Sequence, residues 1–280
     1  MTMKSKSWVM RRRLAWYGFG CALVVTGCTS VQTTRGGVVG VEREQRMSIL
    51  TPSPQQVDAA ARQQYAQVLG EANKKGALNR DARQTERVRA IAQRLIPHTA
   101  VFRDDAPRWN WEINVLQSDQ VNAWCMPGGK IAVYTGLIQK LNATDDELAA
   151  VMGHEIAHAL REHARERMGR AQGTALGVIG LEILTGVRLG DAGNQLAQAM
   201  FVLPNSRENE QEADRIGVEL AARGGFDPRA AVSLWEKMAK VSGGGAPPAW
   251  LSTHPSHEAR INDLRDYSQR VMPLFEKAKR

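Results

Sequence analysis

The stretch Gly153-His154-Glu155-Ile156-Ala157-His158 decides how this chain is read. Its two histidines are four residues apart, which on an α-helix turns roughly 400° and stacks them one turn apart on a single face. Imidazoles so placed can share one zinc ion, with Glu155 beside it as the expected general base. The reading therefore requires a helix. Between Asp145 and Met168 the only Gly or Pro is Gly153, and Leu148, Val151, Met152, Ile156, Ala159 and Leu160 recur at three- and four-residue spacing. Thr144 is the expected N-cap, so the spacing predicts a helix over 144–168 with a buried face.

A catalytic zinc needs a third protein ligand and leaves its fourth position open for water. Glu210 lies on a second predicted helix, 206–223, with Asp214 one turn further on; Glu208 and Glu212 on that helix are rival ligands. The longer metzincin motif would place Gly at 161 and His at 164, where this chain has Arg161 and Ala164. His163 is about 140° around a continuous helix from His158. It reads as a surface or structural histidine and not as a ligand.

Together the motifs Gly153-His154-Glu155-Ile156-Ala157-His158, Ser206-Arg207 with Glu210 and Ala213-Asp214, and Thr253-His254-Pro255-Ser256 with Arg260-Ile261 resemble one family. It is the HtpX/CAAX-prenyl-endopeptidase class of gluzincin metallopeptidases, and within it the LoiP/BepA-type bacterial envelope lipoprotein proteases. The turn Pro127-Gly128-Gly129 and Gly136-Leu137 also match, and the resemblance runs from about Thr85 to Leu264. It implies one zinc per chain held by His154, His158 and Glu210, Glu155 as general base, and Asp214 as a carboxylate behind a ligand. Only Glu210 has the family spacing to Ala213-Asp214. His254 matches a histidine that either stabilises the transition state or latches the metal. The implied fold is α+β and mainly helical, a zincin-like metallopeptidase domain with a small antiparallel sheet beside the active-site helix. The implied function is a zinc-dependent endopeptidase of the bacterial periplasm that degrades misfolded or misassembled envelope proteins. The alternative is a chaperone-like binding module for outer-membrane protein assembly, with latched or secondary proteolysis. The expected partners are unfolded substrates and, in the alternative, the outer-membrane assembly machinery.

The N-terminus reads as an export signal. Lys4, Lys6 and Arg11, Arg12 and Arg13 precede a short apolar core, Leu14 to Val25, and Val25-Thr26-Gly27-Cys28 resembles a bacterial lipobox. Cys28 is then the lipidated residue, and Thr29 after it favours the outer membrane, facing the periplasm. Residues 1–27 hold five positive and no negative side chains, so the net charge of +8 falls to +3 without them. No dense Lys/Arg tract remains, and nothing reads as a nucleic-acid module. Cys125, in an apolar run, reads as a buried inert thiol.

The expected organisation is a signal peptide over 1–27, a tether over 28–54 and a metallopeptidase domain over 55–280. Helices are predicted over 57–75, 81–96, 136–141, 228–241 and 256–271, and strands over 111–117, 121–126 and 130–135. Asn122, Ala123 and Trp124 should edge the cleft and hold an extended substrate by backbone hydrogen bonds. The apolar segment Ala171 to Leu189 reads as a packed helix or a mobile flap. The loop Gly243-Gly244-Gly245 with Pro247-Pro248 should deliver Trp250 and His254 to the site.

Overall fold

In the computed structural model, residues 28–48, 51–171, 192–242, 248–255 and 258–280 are described. The expected signal peptide (1–27), most of Ala171 to Leu189 and the Gly243-Gly244-Gly245 loop lie outside them. The fold is mainly helical with two small sheets. Strands β1 (Cys28–Val31) and β2 (Gln45–Ser48) form an antiparallel ribbon. Helices α1 (Pro54–Lys74) and α2 (Ala82–Leu95) follow, capped by Ser53 and Asp81. Next come β3 (Glu112–Leu116), β4 (Ala123–Met126), β5 (Lys130–Tyr134) and α3 (Thr135–Lys140). The described residues after that are mostly helical: α4 (Asp145–Leu160), α5 (163–171), α6 (Ala192–Phe201), α7 (Arg207–Arg223), α8 (Ala230–Ser242), α9 (Ala249–Thr253) and α10 (Glu258–Ala278). Among the described residues no helix is long and apolar enough to cross a membrane.

Helix α4 is the centre of the core. Thr144 and Glu147 form a reciprocal capping box at its start, and acidic residues fill its first turn, where the helix dipole favours them. Every residue from Glu147 to Leu160 is buried, because α2, α7, α8 and β4 pack around the helix. Helix α7 comes closest at a glycine pair. A Cβ on Gly153 would lie 2.8 Å from the Gly217 carbonyl oxygen, and one on Gly217 would lie 2.8 Å from the His154 nitrogen. That close approach carries Glu210 and Asp214 to the histidines.

Three expectations change. The helix predicted over 144–168 stops at Leu160, and Glu162 has a φ of 51°, a left-handed conformation uncommon for a residue other than glycine. Arg161 and Glu162 turn the chain, so α5 leaves in a new direction. The sheet beside α4 is mixed and not purely antiparallel. β5 is central, antiparallel to β4 across the Pro127-Gly128-Gly129 turn but parallel to β3. The chain from β3 runs past to the far edge and returns through the hairpin, which inserts β5 between its neighbours.

Finally, residues 28–48, expected as part of a tether, pack onto the domain. Val39 and Val41 enter the main core, and the Val39 amide donates to Glu219 at 3.0 Å. Their Thr-, Gly- and Arg-rich composition hid the few apolar anchors.

Candidate active site

The capped helix α4 presents His154 and His158 on one face, and α7 presents Glu210 opposite. His254, at the C-terminal end of α9, closes the group. All four are buried, and one ligand atom from each lies within 4.8 Å of the others. The edges of this group are short. His154 Nε2 is 3.0 Å from His158 Nε2 and 3.2 Å from His254 Nδ1. Glu210 Oε1 is 3.0 Å from His254 Nδ1 and 3.4 Å from His158 Nε2, and Glu210 Oε2 is 3.6 Å from His154 Nε2. A tetrahedral ion about 2.0–2.1 Å from each donor has edges of about 3.3–3.4 Å. The donors therefore fit a tetrahedral metal ion. Ring nitrogens with facing lone pairs repel unless a cation lies between them.

The protons on the two helix histidines follow from what lies behind them. Asp214 Oδ1 accepts from His154 Nδ1 at 2.9 Å, which leaves the Nε2 lone pair facing the centre. Behind His158 the path is longer. Glu212 accepts from His163 Nε2 at 2.9 Å, so His163 Nδ1 is the acceptor for His158 Nδ1–H at 2.8 Å. His158 Nε2 is thereby freed as well. His163 is fully buried, not on the surface, because the break at Arg161 and Glu162 folds it back onto His158. The 140° offset held only for an unbroken helix.

Charge is arranged to match. Arg260 grips Asp214 with two bonds of 2.7 Å and pairs with Glu210 at 2.6 Å. Burial opposes charge on both carboxylates. Arg260 and His154 still hold Asp214 below its ordinary range, and His254, Arg260 and His158 hold Glu210 well below it. Burial drives His158 well below the usual histidine value, so it is neutral and able to ligate. Burial also disfavours charge on His154, but the Asp214 hydrogen bond and the Glu210 and Asp214 charges outweigh it and raise its pKa. The centre thus attracts positive charge. Burial pushes His163 down to about 4, whereas Glu212, despite burial, is drawn down to about 2 by His163, Arg43 and Arg161.

Of the rival ligands, Glu208 is exposed and Glu212 is engaged by His163, Arg161 and Arg43. Neither joins the centre. Glu155 accepts from the Trp250 indole N–H at 2.6 Å, with His254 Nε2 at 3.4 Å from the same oxygen. Trp250 stacks on His254 with ring centroids 4.6 Å apart. A cavity of about 240 Å³ opens beside Glu155, His158 and His254. Asn122, Ala123 and Trp124 line it, on or beside the edge strand β4. Cys125 is buried, and burial raises its thiol well above the ordinary value. Sequence reasoning assigns no role to Arg260, makes Glu212 a rival ligand, expects Trp250 near the site without a partner for it, and reads His163 as a surface or structural histidine. The signal for Arg260 is its place in the Arg260-Ile261 pattern.

Residues 82–268 match the profile of Peptidase family M48. The chain belongs to peptidase family M48. It is 40% identical over 151 residues to the mitochondrial metalloendopeptidase OMA1 of Arabidopsis thaliana, covering 54% of this chain and 30% of that protein. Human metalloendopeptidase OMA1 is 38% identical over 178 residues, covering 59% of this chain and 33% of that protein. The beta-barrel assembly-enhancing protease of Escherichia coli is 30% identical over 209 residues, 68% of this chain and 40% of that protein. The chain thus spans about a third of the length of these OMA1 relatives. The matched M48 region includes all four donors of the centre, and Glu155 and Asp214 with them.

Proposed function

We propose that this chain is a zinc-dependent endopeptidase. The observation that carries the reading is the tetrahedral donor group of His154, His158, Glu210 and His254 with Glu155 beside it. Zinc, when bound, would supply Lewis-acid polarisation of water and of the substrate carbonyl. The chain supplies the rest. Asp214 and His163 fix the ligand tautomers, and Glu155 takes the proton from water and passes it to the leaving amine. The β4 edge, through Asn122, Ala123 and Trp124, binds the substrate backbone. The test is casein hydrolysis with and without a chelator, together with Glu155→Gln. The variant should keep about one zinc per chain and lose hydrolysis; full activity in the metal-loaded variant would sink the mechanism.

His254 reads best as a latch. Its Nδ1 stands where an open fourth position would be, and its Nε2 approaches Glu155. Its departure would admit water and free the base together. His254→Ala should therefore raise basal proteolysis; a fall in turnover of about 10²-fold would instead make it an oxyanion donor.

The biological setting we infer is the bacterial envelope, with lipid on Cys28 and misfolded or misassembled envelope proteins as substrates, in the manner of the LoiP/BepA-type group. Similarity to the beta-barrel assembly-enhancing protease supports this, whereas the OMA1 relatives are mitochondrial. Membrane fractionation of Cys28→Ala, with mass spectrometry of Cys28, tests the anchor. Unchanged fractionation with no lipid on Cys28 would refute it.

A further inference from the structure

The cavity beside Glu155 has in its wall a positive charge with no ion-pair partner among the described residues. Arg167, on α5, is 7% exposed and lines the cavity together with Glu155, His158 and His254. Its Nε donates to the Ala199 carbonyl at 2.9 Å, which fixes the plane of the guanidinium. Its Nη1 is buried and has no hydrogen-bond partner among the described residues.

The other two buried arginines among the described residues are neutralised, Arg161 by Glu212 and Arg260 by Asp214 and Glu210. Glu210 and Glu155 act on Arg167 through space without an ion-pair contact, and the carboxylates next to it in sequence are committed. Glu162 pairs with Arg103 and Arg165, and Glu166 with Arg43 and Arg170. Burial lowers Arg167 to about 10, which still leaves it charged at neutral pH. A desolvated cation with no carboxylate in ion-pair contact among the described residues is unfavourable, and a ligand carboxylate would relieve it.

We infer that Arg167 binds a carboxylate of the substrate chain and so sets the specificity of the cleft, an inference that rests on the peptidase reading. A planar guanidinium donor fork matches a carboxylate, and a neutral carbonyl would leave the charge uncompensated. Trp124, Met200 and Phe201 line the same cavity, and their apolar surface strengthens such a pairing by excluding water. Asn205, which also lines the cavity, carries a second unpaired group. Asn205 Nδ2 is used on the Thr253 carbonyl at 3.1 Å, which leaves its buried Oδ1 as an acceptor without a partner among the described residues. A peptide brings both complements, a backbone N–H for Asn205 and a carboxylate for Arg167. The carboxylate has two possible sources, an Asp or Glu side chain or a free C-terminus.

Binding tests this without requiring turnover. The zinc-loaded Glu155→Gln full-length chain is titrated by fluorescence anisotropy with labelled decapeptides. Each position is presented as Glu or Gln in turn, and each peptide as free acid or amide. At one side-chain position, or at the C-terminus, neutralising the carboxylate should weaken binding by roughly 10- to 100-fold, the range for a hydrogen bond to a charged group. That ratio should fall to about 1 in Arg167→Met and be partly kept in Arg167→Lys, since a point charge replaces a fork. A ratio near 1 at every position and both termini, with Arg167 intact, overturns the proposal and needs no further variant. So does an unchanged ratio in Arg167→Met. Casein hydrolysis by the unaltered chain separates the two readings. Hydrolysis without carboxylate discrimination sinks only the Arg167 site. Discrimination without hydrolysis sinks the peptidase reading and leaves the site standing.

Discussion

The two histidines of α4 are held from behind in different ways. His154 rests directly on Asp214, which Arg260 of α10 grips in turn. His158 rests on His163, and only then on Glu212. Glu212 is held by Arg161 and by Arg43, an arginine of the N-terminal segment that also bonds Glu166 and Asn209. The Arg161 carbonyl accepts from Gln45, and its guanidinium bonds Thr34 and the Arg43 carbonyl, so the segment before α1 is tied into this path. Both paths end with a carboxylate accepting a hydrogen bond from an imidazole N–H, and both leave the Nε2 of the helix histidine free. They differ in reach. The His154 path is a compact contact between α7 and α10, with the carboxylate one bond from the ligand. The His158 path puts a neutral ring between ligand and charge and spreads its support over α5, α7 and the N-terminal ribbon. The short path should therefore govern metal affinity, and the long path should couple the centre to the integrity of the fold.

The largest break in this comparison is Asp214→Ala. It removes the direct hydrogen bond to His154 and half of the pairing of buried Arg260. Metal affinity should fall about 10–100-fold, and stability by about 3–5 kcal/mol for a broken buried pair. Chelator competition and denaturant melts measure the two.

Glu212→Ala is next. It should lower stability by a similar or slightly smaller amount, because His163, Arg161 and Arg43 all lose a partner, but metal affinity by no more than about 10-fold. A greater loss of affinity here than in Asp214→Ala would reverse the ranking of the two paths. Glu208→Ala, exposed on the same helix, should be neutral to within about 0.5 kcal/mol. Loss of metal from that variant would show the ligand assignment to be wrong.

The smallest effect lies at the far end of α4, outside both paths. Glu147 caps the helix through the Thr144 amide and is bonded by Ser233 and Lys237. Burial opposes its charge, but Lys237, Thr144 and Ser233 hold it below the ordinary glutamate value. A depressed carboxylate stabilises above its unfolded pKa, about 4.3, and that contribution is lost as pH falls through the folded value. Glu147→Gln should thus cost about 1–2 kcal/mol at pH 7, and the gap to the unaltered chain should narrow below about pH 4. A gap that stays constant with pH would place the acid sensitivity elsewhere, the two histidine paths included.

Local sequence determined a great deal. The spacing of His154 and His158, the uninterrupted apolar repeat and the Thr144 cap are properties of a few neighbouring residues, so the helix and its paired imidazoles were legible. So were the Pro127-Gly128-Gly129 hairpin and the helix α7 with Glu210 and Asp214 one turn apart. The remainder depended on contacts between distant segments. Periodicity gives no sign that α4 ends at Leu160, because residues after the break still read as helical; long-range bonds to Thr34, Arg43 and Gln45 accompany the turn. With that turn His163, which reads from sequence as either a surface or a structural histidine, becomes the hydrogen-bond acceptor behind His158. The strand order β3-β5-β4 likewise follows from where the chain crosses, and alternation within each strand is blind to it. Sequence sets what each residue can donate, accept or bury; only the packed chain decides which distant group it meets, because at tens of residues' separation no local rule fixes distance or direction.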